Sequence, residues 1–212
     1  MFEQVLSKNE RDTLAILGKS GLLADVYMAG GTALALQIGH RFSYDFDFFT
    51  PKEFDENMML QRIKKLIPEF KLERKEWRTI LGYIKESRFS LFYYSYPFLF
   101  KTNNFLGADI ADIKDITAMK IAAISDRGVK KDFIDLYFII KKEKILSLEN
   151  ALEIYDKKFE TLAQNKLHIL KSLQYFSDAE ESEMPKMIKS VSWPEVKSFF
   201  KKEVKVLSEE IL

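Results

Sequence analysis

The sequence predicts an α+β domain: a mixed β-sheet with flanking helices, followed by a helical part. Three observations carry this. Strand-like stretches crowd the first 110 residues, whereas beyond Asp112 every pattern is helical. A Gly30-Gly31-Thr32 turn joins a short apolar strand pattern to a short apolar helix pattern. The stretch after it, Tyr44 to Phe49, alternates with period two and places aspartates between phenylalanines. The expected organisation is a core over residues 1–111 and a helical part over 112–212 that completes a cleft, the two being continuous.

The elements follow in order. Residues 9–23 carry Leu14, Ile16 and Leu17 on one side of a helix, with Gly21 near its end. Residues 25–29 fit a short buried strand. Thr32 to Ile38 reads as a helix with Gly39 as its C-terminal stop. Residues 44–49 form a strand that Pro51 ends. An amphipathic helix spans 54–67 up to Pro68. Strands are expected over 70–77, 79–85 and 88–95, the last rich in aromatics and suited to a central position, with a further short one over 105–110. Helices are expected over 113–127, 131–142, 147–160, 164–174 and 194–210. Pro194 suits the first turn of the last one. The acidic stretch 177–186 reads as an exposed loop, and Lys197, Lys201, Lys202 and Lys205 as a solvated helix face.

Composition excludes several classes. Of 212 residues, 47% are apolar, enough for a sizeable core and against disorder. Thirty-three basic residues nearly cancel 32 acidic ones, so net charge gives no argument for bulk nucleic-acid binding. The absence of cysteine excludes disulfides and thiolate metal sites and suits a reducing cytoplasm. The N-terminus is polar within its first ten residues, unlike a signal peptide, and no apolar run approaches the roughly 20 residues of a membrane span. Abundant Lys and Ile with little Ala point to a low-GC bacterial source.

Two constellations carry the chemistry. In the first, a double glycine between strand and helix lets the backbone turn sharply and approach a ligand. The helix N-terminus behind it offers N–H groups and partial positive charge to a phosphate. Thr32 can add a hydrogen bond or act as an N-cap. Asp45 and Asp47, two apart on a strand, project from one face, with Phe46 and Phe48 on the other. Aspartate is depleted in strands, and two like charges there make sense beside a divalent cation. Arg41 can fork onto phosphate oxygens. His40 has no partner at zinc-ligand spacing and reads as a surface or packing residue.

In the second, Lys120 interrupts an apolar stripe containing Ile116 and Ile124, so it either snorkels to solvent or points into a cleft. Asp132 and Asp135 share a helix face. Asp132 can be a cap; Asp135 sits in the apolar run from Phe133 to Phe138 and is harder to explain that way.

With these residues on the page, the chain resembles the AbiEii/AbiGii family of nucleotidyltransferases, toxins of type IV-like toxin–antitoxin systems. The resemblance rests on Gly30-Gly31-Thr32, Asp45-Phe46-Asp47, Ala118-Met119-Lys120 and Lys131-Asp132-Phe133-Ile134-Asp135-Leu136. It implies a polymerase β-like nucleotidyltransferase fold. It further implies Gly31 and Thr32 on the phosphates of an NTP, next to Gly30 and Arg41 from the reading above, and Mg²⁺ or Mn²⁺ on Asp45 and Asp47. Lys120 would contact the triphosphate, and Asp132 or Asp135 would complete the site. Lys131 stands where the family often has arginine. Polymerase β-like sites usually carry a third carboxylate on a later strand, for which Asp109, Asp112 and Asp115 are the candidates.

The expected activity is metal-dependent transfer of a nucleotide to an acceptor hydroxyl, on RNA or tRNA, by a cytoplasmic toxin with a cognate antitoxin and no membrane contact. The alternatives are an inactive nucleotidyltransferase-fold binding protein and an aminoglycoside-type small-molecule nucleotidyltransferase.

Overall fold

The computed structural model describes residues 1–160 and 166–211. They form two compact units, Met1–Asp112 and Ile113–Leu212. The first opens with helix α1 (Lys8–Lys19), which Ser7 and Glu10 cap reciprocally, the Ser7 N–H donating to Glu10 Oε2 at 2.6 Å. Strand β1 (Tyr27–Ala29) leads into helix α2 (Gly30–Ile38), and strand β2 (Phe46–Thr50) follows. Helix α3 (Glu56–Leu66) precedes β3 (Lys71–Glu76), β4 (Thr79–Ile84) and β5 (Ser87–Tyr93).

One expected strand is two. Residues 105–110 are divided between β6 (Asn103–Phe105) and β7 (Ala108–Ile110). Leu106 and Gly107 both have positive φ, 54° and 85°, the backbone of a tight two-residue hairpin turn. That turn lies inside an apolar run, which conceals it from a periodicity argument.

The seven strands form one mixed sheet in the order β3-β4-β5-β2-β1-β7-β6. β1 runs antiparallel to β2 and parallel to β7, while β2 and β5 are parallel. The aromatic β5 is therefore interior. The edge strand β3 is exposed throughout, and its alternating Lys, Glu and Arg side chains discourage pairing with another chain. In β2, Phe46, Phe48 and Thr50 are buried, while Asp47 and Phe49 occupy the half-exposed opposite face. Helix α2 buries Thr32, Ala33, Leu34, Ala35, Leu36 and Ile38, and a left-handed Gly39 (φ 62°) ends it.

The second unit is helical: α4 (Ile113–Asp126), α5 (Lys130–Tyr137), α6 (Leu148–Phe159), α7 (Lys166–Ser172), α8 (Ser177–Glu180) and α9 (Trp193–Ile211). The helix expected over 131–142 widens into a π turn at Phe138–Lys142. Positions 164 and 165 of the helix expected over 164–174 lie outside the described residues. The stretch expected to be an exposed loop from residue 177 begins instead with α8, whose Ala179 is buried. The Lys130 N–H donates to the Ser182 hydroxyl at 2.9 Å and holds that stretch down. Phe133 anchors α9, packing against Trp193 and Phe200 at centroid distances of 5.9 and 5.5 Å.

A polar clasp adds to this anchor. The Tyr137 hydroxyl donates to Glu195 Oε1 at 2.5 Å, and Lys142 Nζ donates to the same oxygen at 2.9 Å. These donors, Tyr137 first, hold the Glu195 carboxyl below its ordinary value. Burial and then Glu195 push the Tyr137 hydroxyl up. A depressed carboxylate gives stability that is present above its unfolded pKa, about 4.3, and is lost as pH falls through the folded value. A raised tyrosine gives stability present below about pH 10 and lost as pH rises through the folded value. Glu195→Gln should therefore flatten the acid limb of the melting temperature measured between about pH 3 and 7.

Candidate active site

The first constellation is assembled where β1, α2 and β2 meet. Ala29 lies opposite Asp47 in the antiparallel pair. Gly30 follows with φ 75°, a left-handed conformation that favours glycine, and starts α2. A Cβ at Gly30 would lie 2.8 Å from Asp47 Oδ2, so the carboxylate rests directly against the first residue of the helix. A Cβ at Gly31 would collide with the Arg41 guanidinium and meet Ser43 Oγ at 3.1 Å. Both glycines are thus required by close approach. Gly30→Ala is expected to cost about 1–3 kcal/mol through its backbone strain, with Asp47 displaced as well; urea denaturation measures it.

Thr32 is neither an N-cap nor a free donor. The N-cap is Ala29, without a side-chain bond, because Gly30 and Gly31 already belong to the helix. The Thr32 hydroxyl is 1% exposed, donates to the Asp45 carbonyl at 2.5 Å and hydrogen-bonds the Ser43 hydroxyl at 3.0 Å. It fixes the backbone at Asp45. That carbonyl is engaged by Thr32 just ahead of the sheet ladder, which agrees with β2 starting at Phe46 rather than at residue 44. Asp45 and Asp47 are both half-buried, alternating with the fully buried Phe46 and Phe48. Arg41 is buried beside Gly31, and its Nη1 donates to the Phe42 carbonyl at 3.1 Å. His40 is fully buried, a packing residue rather than a surface one.

Two of the three candidates for a further carboxylate, Asp115 and Asp109, have partners of their own. Asp115 is buried and accepts from Lys158 Nζ at 2.8 Å, so it is an ion-pair partner and not a helix cap. Asp109 lies opposite Tyr27 in β7, is exposed, and accepts from Asn104 Nδ2 at 3.3 Å. Asp112 is half-buried ahead of α4. Beside Asp47, the parallel strand β5 places Ser90. Among the described residues, no three His, Cys, Asp or Glu side chains group as a metal cluster. The Asp47 carboxylate against a helix N-terminus, with Asp45 two residues before it, still suits Mg²⁺, which is commonly held by one or two carboxylates together with substrate phosphates and water.

The second constellation is brought together within the second unit. Lys120 Nζ lies 2.7 Å from Asp132 Oδ1 and 2.6 Å from Asp135 Oδ2, with all three side chains at most 7% exposed. Lys120 therefore does not snorkel. Asp132 is not a cap, since Val129 holds that position and Asp132 faces the ammonium. Lys131 is exposed. The Asp115–Lys158 pair between α4 and α6 is a buried polar feature that sequence reasoning missed. Lys157 and Lys158 read alike in sequence, and only packing distinguishes them.

The family model described as nucleotidyl transferase AbiEii toxin, type IV TA system, matches residues 12–100. The uncharacterized protein aq_aa25 of Aquifex aeolicus (strain VF5) is 41% identical over 209 residues, covering 94% of this chain and 96% of that one. In fold, the chain is similar to a crystallised H. pylori protein assigned as a candidate nucleotidyltransferase, with a TM-score of 0.53, 21% identity, and 96% and 98% of the two chains covered. It is also similar to MenT4, a nucleotidyltransferase toxin from Mycobacterium tuberculosis H37Rv, with a TM-score of 0.50, 15% identity, and 95% and 86% covered. Residues 12–100 thus match the AbiEii family of nucleotidyl transferase toxins, and the chain as a whole is a relative of aq_aa25.

Proposed function

We propose that the chain moves a nucleotide from an NTP to an acceptor hydroxyl on RNA, with tRNA the first candidate, using Mg²⁺ or Mn²⁺ held by Asp45 and Asp47. We further propose that it does so in the bacterial cytoplasm, as a toxin restrained by a cognate antitoxin. No helix among the described residues is long and apolar enough to cross a membrane. The observation that carries the reading is the contact between Gly30 and the Asp47 carboxylate. It sets a phosphate-attracting helix end against a metal-attracting carboxylate.

In this reading the first N–H groups of α2 receive phosphate oxygens and Arg41 adds positive charge. Thr32 keeps Asp45 in place through its carbonyl. Bound metal would neutralise the triphosphate and draw electron density from the α-phosphate. The acceptor hydroxyl loses its proton to water, its oxygen bonds to the α-phosphorus, the bond from that phosphorus to the bridging oxygen breaks, and pyrophosphate leaves. Catalysis is then mainly positioning and charge neutralisation.

The test is incubation of the pure protein with each α-labelled NTP and total RNA, with and without EDTA. Label on an RNA band that disappears with EDTA supports the reading. Label that persists in EDTA overturns the metal role. The two-carboxylate site, with Ser90 beside Asp47, favours one second reading, an inactive binder of this fold. Calorimetric titration with NTP and Mg²⁺ separates the two: no heat of binding in either condition favours the binder.

A further inference from the structure

The face of the sheet that carries Asp47 also carries an aromatic row. Asp47 and Phe49 share that face of β2, and Tyr27 lies opposite Phe49 in β1. Tyr27 stacks on Phe49 with ring centroids 5.7 Å apart and planes 26° apart, and Phe49 stacks on Phe92 of β5 at 5.4 Å. Phe98, from the segment after β5, meets the Tyr27 ring edge-on at 4.0 Å.

Beside this row is a cavity of about 390 Å³. Tyr27, Pro51, Phe98 and Phe100 line it together with the exposed Lys101 and Asp109. An apolar, ring-lined recess of this size with a few polar groups at its mouth suits a flat heteroaromatic ligand. Its position is as telling as its lining. Tyr27 is two residues along the ladder and one strand across from Asp47. At about 3.3 Å per residue and 4.8 Å per strand, that separation is about 8 Å. A nucleotide whose phosphate lies at Asp47 would carry its base about this far away.

We propose that the cavity is the base subsite for the donor nucleotide: the nucleobase enters between Phe98 and Phe100 and packs against Tyr27, while Lys101 and Asp109 address its polar edge. This rests on the nucleotidyl-transfer reading above and names where that substrate is held. Base-on-aromatic packing is worth about 1–3 kcal/mol, roughly five- to 150-fold in affinity.

The experiment compares three probes on the full chain with Mg²⁺: an NTP, inorganic tripolyphosphate and a nucleoside, using calorimetry for the first two and saturation-transfer NMR for the third. Phe98→Ala removes one wall, and Phe98 is 37% exposed, so folding should tolerate it. Thr102→Trp fills the recess from a lining position and serves as the second variant. Both are checked by thermal melting. Expected is NTP affinity lowered about tenfold in each variant, tripolyphosphate affinity unchanged, and the nucleoside signal lost. NTP binding equal to wild type in both variants overturns the subsite. Nucleoside binding without tripolyphosphate binding keeps the subsite and removes the phosphate grip. A wild-type chain that binds none of the three overturns both.

Discussion

Asp47→Asn is expected to lower nucleotidyl transfer by about 10²–10³-fold or more, the scale of losing one electrostatic group at a reacting phosphate. Asparagine keeps the shape of the side chain against Gly30 but removes the charge that attracts a cation. Asp47 is half-buried at the sheet face, and the packing of Phe46 and Phe48 lies on the other side. The melting temperature should therefore stay within a few degrees of wild type. Label transfer from NTP, followed against time, measures the loss. Transfer at the wild-type rate would remove Asp47 from the chemistry altogether. Asp45→Asn should behave similarly, because the Thr32 bond goes to its backbone carbonyl and survives the change.

Lys120→Met is expected to give the largest stability loss. It leaves Asp132 and Asp135, 1% and 0% exposed, buried as two carboxylates without the ammonium between them. Breaking a buried pair in this way costs about 3–5 kcal/mol. At about 2–4 °C per kcal/mol for a chain of this size, the melting temperature should fall by roughly 10 °C. The cost comes from the stranded charges and not from the missing lysine. A triple variant with Asp132→Leu and Asp135→Leu added should therefore recover most of the loss. That variant also separates structure from catalysis. If it melts like wild type but transfers no label, the group touches substrate. If it transfers normally, the three residues serve packing alone.

Much of this was legible in sequence where one local rule decided the matter. The strand through Asp47 was visible because aromatic and acidic residues alternate, and the fold places Phe46 and Phe48 inside accordingly. The change from sheet to helix after Asp112 was visible because the hydrophobic period changes there. The hairpin at Leu106-Gly107 was not, because its turn carries no polar residue. Nor was the positioning role of Thr32, since its partner lies 13 residues away. Charged residues within apolar helices announced that something unusual was present at Lys120 and Asp135. They could not say whether the partner was a ligand or one another. Asp115 gave less still, because a carboxylate in a first helical turn has an ordinary explanation, and Lys158 comes from another helix.

Helix α2 offers its first turn to the site while the rest of it is enclosed by the core. Its backbone order is therefore set when the chain folds, before any nucleotide arrives. On the proposed function, phosphate capture would then involve little further loss of freedom in the main chain. The amide protons of α2 beyond its first turn would consequently exchange with solvent through opening of the whole unit, whereas those of the first turn, which have no acceptor within the helix, would be slowed by a bound phosphate. Any sequence change that loosened this small helix would weaken recognition and folding together, so the two properties are tied to one element and cannot drift apart.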